Sequence, residues 1–341
     1  MPKKPPQKPS IKDIAAKTGL SPAAVSYALS GNGRVSDETR KAVLSAAEKM
    51  GFIRDANAAR LRSGRSFLLG AVIHDVSNPF FGELLSDFEA AAYEMGYLTI
   101  VANSKDDLGR QGKLLHSLAS QGIAGLLVSP AQGTTAADFS TLTKRGTPLA
   151  ICVRDVGDPA HDYVGINDRR AGYLAAARLL NAGAGQIAFI GGLDHTETWR
   201  NRRQGLIQAL HEKGLRTDAR LIRPGPPTRE FGVKAMIEVC QNNPACRAIM
   251  CFNDYVAIGV YIAAARQGLD VGRDVAVVGI DNVPVAESLH PGLTTVEVFP
   301  RRAGRICADT LHRRLNRDTS VPARTLIEPE LVERASVRRG S

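Results

Sequence analysis

The 341-residue sequence predicts an α/β protein with a small N-terminal three-helix head containing a helix-turn-helix, a hinge, and two doubly wound, Rossmann-like subdomains. Three observations lead there. The stretch from Ser10 to Gly51 carries three short helical patterns and no strand-like run. From Phe67 onward, apolar strand-like runs alternate with helical stretches, the rhythm of a parallel sheet. That alternation passes through two consecutive series, enough for two sheets, and a hydrophobic content of 44% can fill the cores they need.

Charge separates the two parts. The formal net charge is +10, and residues 1–66 hold 13 Lys/Arg against 5 Asp/Glu, leaving 31 against 29 for the rest. A basic unit on a nearly neutral body fits a polyanion-binding head and a ligand-binding or catalytic body. Residues 1–9, "MPKKPPQKP", are expected to form a disordered, basic arm. It lacks the apolar core of a signal peptide, and no apolar stretch approaches the ~20 residues of a membrane span, so a cytoplasmic protein is expected. Five widely spaced cysteines (Cys152, Cys240, Cys246, Cys251 and Cys307) form no CxxC pair and read as reduced, buried thiols.

In the head, residues 10–54, Ile11, Ile14 and Ala15 form a helical stripe that Gly19 stops. Ser21 can cap the next helix, and Pro22 suits its first turn. Val25, Ala28 and Leu29 then face inward, while Ala23, Ser26, Tyr27 and Ser30 make an outward stripe of mostly small residues that permits close approach to another surface. A third helix starts after Ser36, with Asp37 and Glu38 at its positive end and Val43, Leu44, Ala47 and Met50 inward.

The body, residues 67–341, begins with "FLLGAVI", "YLTIVAN", "IAGLLVSP" and "PLAICV" and continues with "HDYVGIN", "QIAFIGG", "AIMCFND" and "VAVVGIDN". Ligands of such sheets bind where strands end and loops begin. Those ends carry Asn78 with Phe80 and Phe81, Arg154, Trp199 with Arg202, Asn253, and Asp281. Fork donors, amide and carboxylate acceptors and aromatic faces together suit a polyhydroxylated ring, so the set reads as a sugar pocket. Asp254 reads as a cap of the following helix. His74 and His195 stand in no nucleophile or metal motif, and "IGGLD" is too short and glycine-poor for a phosphate-binding fingerprint. No metal, cofactor or catalytic residue is expected. An enzyme acting on a sugar or nucleotide would need an acid–base pair or phosphate loop, and a transporter's binding protein would not carry the basic head.

The stretch "IKDIAAKTGLSPAAVSYALSGNGRVSDETRKAVLSAAEKMGF", followed by "DANAARLRSGRS" and "LLGAVIHDVSNPFF", resembles LacI-family transcriptional regulators along nearly the whole chain. The resemblance implies a body of the periplasmic-binding-protein type I fold, with one subdomain from about 67–165 plus 298–327 and the other from about 166–297 plus 328–341. It also implies a homodimer on double-stranded, near-palindromic operator DNA, with the second helix in the major groove. Pro22, Ala23 and Tyr27 then stand where the base readers sit, and Ser21, Ser26 and Ser30 near phosphates. Lys12 and Arg34 complete the set implied in the head. A hinge at 55–66 would occupy the minor groove, where Leu61 stands at the wedge position with Arg62 beside it. This hinge departs from the family pattern: Arg54 replaces the usual proline, Asp55 the usual asparagine, and Ala58–Leu61 the usual Ala-Arg-Ser-Leu.

In the body the resemblance covers "NPFF", the strand-end Arg154, the "RxxxG" Arg202, Asn253 and Asp281, all expected to contact an effector. After "PGLTTV" the family places a polar residue, whereas this chain has Val298 and then Phe299, which is expected to stack on the ligand instead. The function so read is a repressor of carbohydrate uptake or catabolism genes controlled by a small sugar. A purine-type corepressor or a phosphoprotein partner is the rival control. Dimerisation is expected through the helix "FGELLSDFEAAAYEM", without a terminal leucine heptad to make a tetramer.

Overall fold

Residues 9–30, 35–52 and 66–338 are described by the computed structural model, in which the chain divides into two units, residues 1–65 and 66–341. The arm at 1–8, the loop with Arg34, the side chain of Ser30, and the hinge residues 55–65 with Leu61 and Arg62 lie outside the described residues.

In the first unit, α1 (Ile11–Thr18), α2 (Pro22–Ser30) and α3 (Asp37–Lys49) enclose a small core of Ile14, Ala15, Val25, Ala28, Val43, Ala46 and Ala47. Ser10 and Asp13 form a capping box on α1, and Gly19 leaves it at φ 70, a left-handed turn that glycine adopts without steric cost. Ser21 Oγ accepts the Ala24 N–H at 3.1 Å, and Ser36 Oγ accepts the Thr39 N–H at 3.3 Å, so both later helices start on side-chain caps. Leu44 departs from its expected inward place and is 48% exposed. The buried stripe of α3 is instead Val43, Ala46 and Ala47, with Met50 packed against it, a run at i, i+3, i+4 and i+7 that leaves Leu44 outside.

The second unit runs β1 (Leu68–Ile73), α4 (Pro79–Glu94), β2 (Leu98–Asn103), α5 (Leu108–Ser120), β3 (Gly125–Val128), α6 (Ser140–Lys144), β4 (Leu149–Cys152) and β5 (Asp162–Ile166). It continues with α7 (Asp168–Asn181), β6 (Ala188–Ile190), α8 (Glu197–Glu212), β7 (Ile222–Arg223), α9 (Arg229–Asn242), β8 (Ala248–Cys251), α10 (Asp254–Arg266) and β9 (Ala276–Val278). The last part is α11 (Val285–Ser288), β10 (Thr295–Glu297), α12 (Pro300–Leu315), β11 (Arg324–Ile327) and β12 (Glu330–Val332).

Two parallel sheets result, a six-stranded one in the order β11-β5-β4-β3-β1-β2 and a four-stranded one in the order β7-β6-β8-β9, with β10 and β12 pairing antiparallel. Strand order reverses direction at β1/β3 in the first and at β6/β8 in the second, the switch points where α/β sheets open a crevice. The chain passes between the sheets after β5, after β10 and between β11 and β12, so three strands of polypeptide join the two halves.

One face of α4, with Phe80, Phe81, Leu84, Phe88, Ala91 and Ala92, is buried within its own subdomain, where α4 packs on α12, while the opposite face, with Gly82, Ser86, Glu89, Ala90 and Tyr93, is exposed. Exposed apolar side chains lie on α4 itself, at Tyr93, and on the neighbouring edge strand β2, at Leu98, Ile100 and Val101. All five cysteines are free, four buried and Cys240 partly exposed. Among the described residues no helix is long and apolar enough to cross a membrane, and no three metal-ligating side chains cluster.

Candidate functional site

A cavity of about 630 Å³ lies at the C-terminal ends of both sets of strands. From the first sheet's strand ends it takes His74, Asn78, Phe80, Phe81, Asp106 and Arg154; facing them are Asp168 at the start of α7, which leaves β5 for the second sheet, Arg202 on α8, and Phe252, Asn253 and Asp281 at the second sheet's strand ends.

On the first side, Asn78 ends the loop after β1 and caps α4, its Oδ1 accepting the Phe80 N–H at 3.0 Å, with Pro79 setting the first turn. The cap fixes Phe80 and Phe81 edge to face at 5.1 Å on the cavity wall. His74 Nδ1 and Ser129 Oγ share a 2.8 Å hydrogen bond, and the imidazole meets the Phe81 ring edge-on at 4.7 Å. Burial, followed by the charge of Arg154, drives the His74 pKa down to about 3, so this ring is neutral at physiological pH. Arg154 follows Val153, which sits at φ 66, and grips Asp106 with both arms of its guanidinium while also donating to the Pro130 carbonyl at 3.2 Å. Burial pushes the Asp106 carboxyl up, but the hydrogen bonds and charge of Arg154 outweigh it and hold the carboxyl below its ordinary range.

On the second side, Arg202 is buried in α8 between two carboxylates. Its Nε donates to Asp168 Oδ1 at 2.8 Å, its Nη2 lies 3.6 Å from Asp281 Oδ1, and its Nη1 donates to the Phe252 carbonyl. The guanidinium also lies 4.8 Å from the centre of the Phe252 ring. One cation cannot neutralise both acids, and burial pushes Asp281 up to about 7, with Arg202 opposing and Asp168 adding to the shift. Asp168 is raised by burial as well. Asn253 caps α10, its Oδ1 accepting the Val256 N–H at 3.0 Å. Asp254, read from the sequence as that cap, instead braces the interior: it accepts the Val283 N–H at 2.9 Å and the Thr295 hydroxyl at 2.6 Å.

Seven of the nine expected effector residues therefore line one cavity: Asn78, Phe80, Phe81, Arg154, Arg202, Asn253 and Asp281. Two do not. Trp199 is turned into the core, its ring stacked on Phe189 at 5.8 Å, because the first turn of α8 places it on the face that packs on the sheet. Phe299 sits at φ 54 as the residue before α12, packed against the core with its N–H donated to Glu297 Oε1. The residues that sequence reasoning missed are Asp106, Asp168, Phe252 and the cavity role of His74. Asp106 follows "YLTIVAN" and Asp168 follows "HDYVGIN", so the strand-end rule that found Arg154 would have found them too.

On the head, Pro22, Ala23 and Tyr27 are exposed, Tyr27 at 55%, and Lys12 is exposed on α1. Ser26 is partly buried. Ser21 accepts a hydrogen bond as the cap of α2, which leaves its hydroxyl proton to donate outward.

Residues 10–55 match the model of the bacterial regulatory proteins of the lacI family, and residues 176–337 that of a periplasmic binding protein-like domain. The chain is 31% identical to the HTH-type transcriptional regulator DegA of Bacillus subtilis over 333 residues, 96% of this chain and 98% of that protein. It is 30% identical to the HTH-type transcriptional repressor PurR of Photobacterium profundum over 332 residues, covering 96% of this chain and 98% of PurR. Among solved structures it resembles a complex of the transcriptional regulator CelR with cellobiose, with TM-score 0.73, 27% identity, and coverage of 96% of this chain and 100% of that one. With both modules matched in order and nearly its full length aligned to these regulators, the chain belongs to the LacI family of DNA-binding transcriptional regulators, which are not enzymes.

Proposed function

We propose that the protein is a repressor of carbohydrate uptake or catabolism genes. It binds near-palindromic operator DNA as a homodimer and is controlled by a small sugar or sugar derivative in the cavity. The carrying observation is the pair of arginine–carboxylate groups facing one space: Arg154 with Asp106 on one side, Arg202 with Asp168 and Asp281 on the other. Each offers both donors and acceptors, which is what a ring of hydroxyls needs, since every hydroxyl both gives and takes a hydrogen bond. The Phe81 and Phe252 rings add apolar surface for the C–H face of such a ring. A cellobiose complex of the similar regulator CelR supports the same class.

In the head, Pro22, Ala23 and Tyr27 read base edges, with Lys12, Ser21, Ser26, Ser30 and Arg34 on the backbone, while Leu61 and Arg62 enter the minor groove. The exposed Tyr93, Leu98, Ile100 and Val101 are the apolar surface offered for pairing of two bodies. Thermal-shift screening of the full-length protein against monosaccharides, disaccharides and purines tests the effector class. Sugars are expected to raise Tm, and stabilisation by purines alone overturns the reading.

A further inference from the structure

We infer that the rim of the body where the strands of the six-stranded sheet begin is a second DNA contact, holding the phosphate backbone of duplex that flanks the stretch read by α2. The strand starts lie side by side: the Leu98 N–H donates to the Phe67 carbonyl at 2.8 Å, Ala124 to Leu68 at 2.7 Å, Leu126 to Pro148 at 2.9 Å, and Tyr163 to Ala323 at 2.9 Å. Two helices end at this rim. Thr143 at the end of α6 is hydrogen-bonded to His161 at 2.8 Å, and Arg314 at the end of α12 donates to Asp162 at 2.7 Å. Lys144 and Arg145 after Thr143, and Arg313 and Arg317 around Arg314, are therefore exposed residues of one edge.

Three acids of this edge are already engaged. Asp162 takes both arms of Arg314, Asp318 lies 3.6 Å from Arg313, and Glu94 lies 3.1 Å from Arg305. Asp309 stands a full turn back along α12 from Arg313. Lys144, Arg145 and Arg317 make no ion pair with any described residue. Helix C-termini favour a nearby cation, and Arg314 and Lys144 meet that demand for their own helices; Arg317 follows the cap Asn316 at φ 65, its N–H donated to the Arg314 carbonyl at 3.0 Å, with its side chain exposed. From residue 67 onward the chain holds only two more Lys/Arg than Asp/Glu, so three cations without a carboxylate partner on one edge are a local concentration. Exposed, flexible cations without a geometric partner suit phosphates rather than base edges. The first strand of the body, β1, also starts at this rim, at Leu68.

The test uses full-length Lys144→Gln/Arg145→Gln/Arg317→Gln protein and, separately, Arg317→Gln. Binding to fluorescent mixed-sequence duplexes of about 20 and about 60 base pairs is titrated from ~50 to ~200 mM KCl. The expected result on the long duplex is a salt slope shallower by about two to three for the triple variant and by about one for the single, with affinity at ~50 mM at least tenfold weaker for the triple. The short duplex, which has no flanking stretch, should bind both variants as it binds wild type. Unchanged slopes on the long duplex, or equal loss on both lengths, overturn the inference, as does selective loss of binding to an acidic protein with DNA binding intact. Failure of wild type to bind either duplex would overturn the DNA-binding role itself. The effector's identity bears on none of these outcomes.

Discussion

Arg202 holds its place because three acceptors surround it, and that makes it a structural as well as a ligand-facing residue. Replacing it with Gln leaves Asp168 and Asp281 buried without a cation, which should cost about 3–5 kcal/mol. Arg154 and Asp106 are partly exposed, at 20% and 30%, so Arg154→Gln should cost no more than about 1 kcal/mol while still removing the arginine donors on the first side of the cavity. Urea unfolding of the two variants decides this; equal losses would mean that the Arg202 cluster is not the buried brace described. Asp281 adds a pH dependence. Its carboxyl titrates near 7 in the fold and near 4 when unfolded, so folding retains a proton between those values and stability declines as pH rises through that window. Asp281→Asn should flatten this decline, seen as a smaller Tm difference between about pH 5 and about pH 8; superimposable profiles would refute the assignment. The strand-end rule found most of these side chains because a parallel sheet dictates where its loops converge. It misplaced Trp199 because the residue, read at a strand end, lies in the first turn of α8 on the face that packs into the core.

Helix contacts carry the site to its position, and two glycines control the decisive one. A Cβ on Gly172 of α7 would lie 2.0 Å from the Arg202 carbonyl, and one on Gly205 of α8 would lie 2.2 Å from the Arg169 carbonyl. The two helices thus touch backbone to backbone, which sets Asp168 at the start of α7 beside Arg202 on α8. Gly205→Ala must push the pair apart and should cost about 1–3 kcal/mol, with a matching loss of effector response although the residue lines no cavity. Gly112, inside α5 with nothing within 4 Å of its missing Cβ, gives the contrast. Gly112→Ala should stabilise by about 0.5–1 kcal/mol through helix propensity alone. Thermal melts that ranked these two substitutions the other way round would show that the α7–α8 contact is looser than described. The elements themselves were legible from periodicity, including both series of strands. What periodicity could not show was which face of α4 turns outward: its phenylalanines fill their own subdomain, and Tyr93 on the opposite face stays exposed beside Leu98, Ile100 and Val101 of β2.

At the scale of the whole molecule, three chain crossings join two halves that each bring an arginine–carboxylate group to the cavity. A ligand bonded to both groups favours the arrangement in which they face one another at the right separation, and it can affect DNA only through its different affinity for that arrangement. The coupling is then reciprocal: if the effector weakens operator binding by a given factor, operator must weaken effector binding by the same factor, typically about 5–150-fold. Calorimetric titration of the effector into free and operator-bound protein, set beside operator titrations with and without the effector, should return one factor from both routes. Arg154→Gln and Arg202→Gln should each shrink that factor, because each removes contacts on one side of the cavity. Unequal factors would reveal a second ligand site, and a sugar that binds tightly with no effect on the operator would show that the cavity does not control the head.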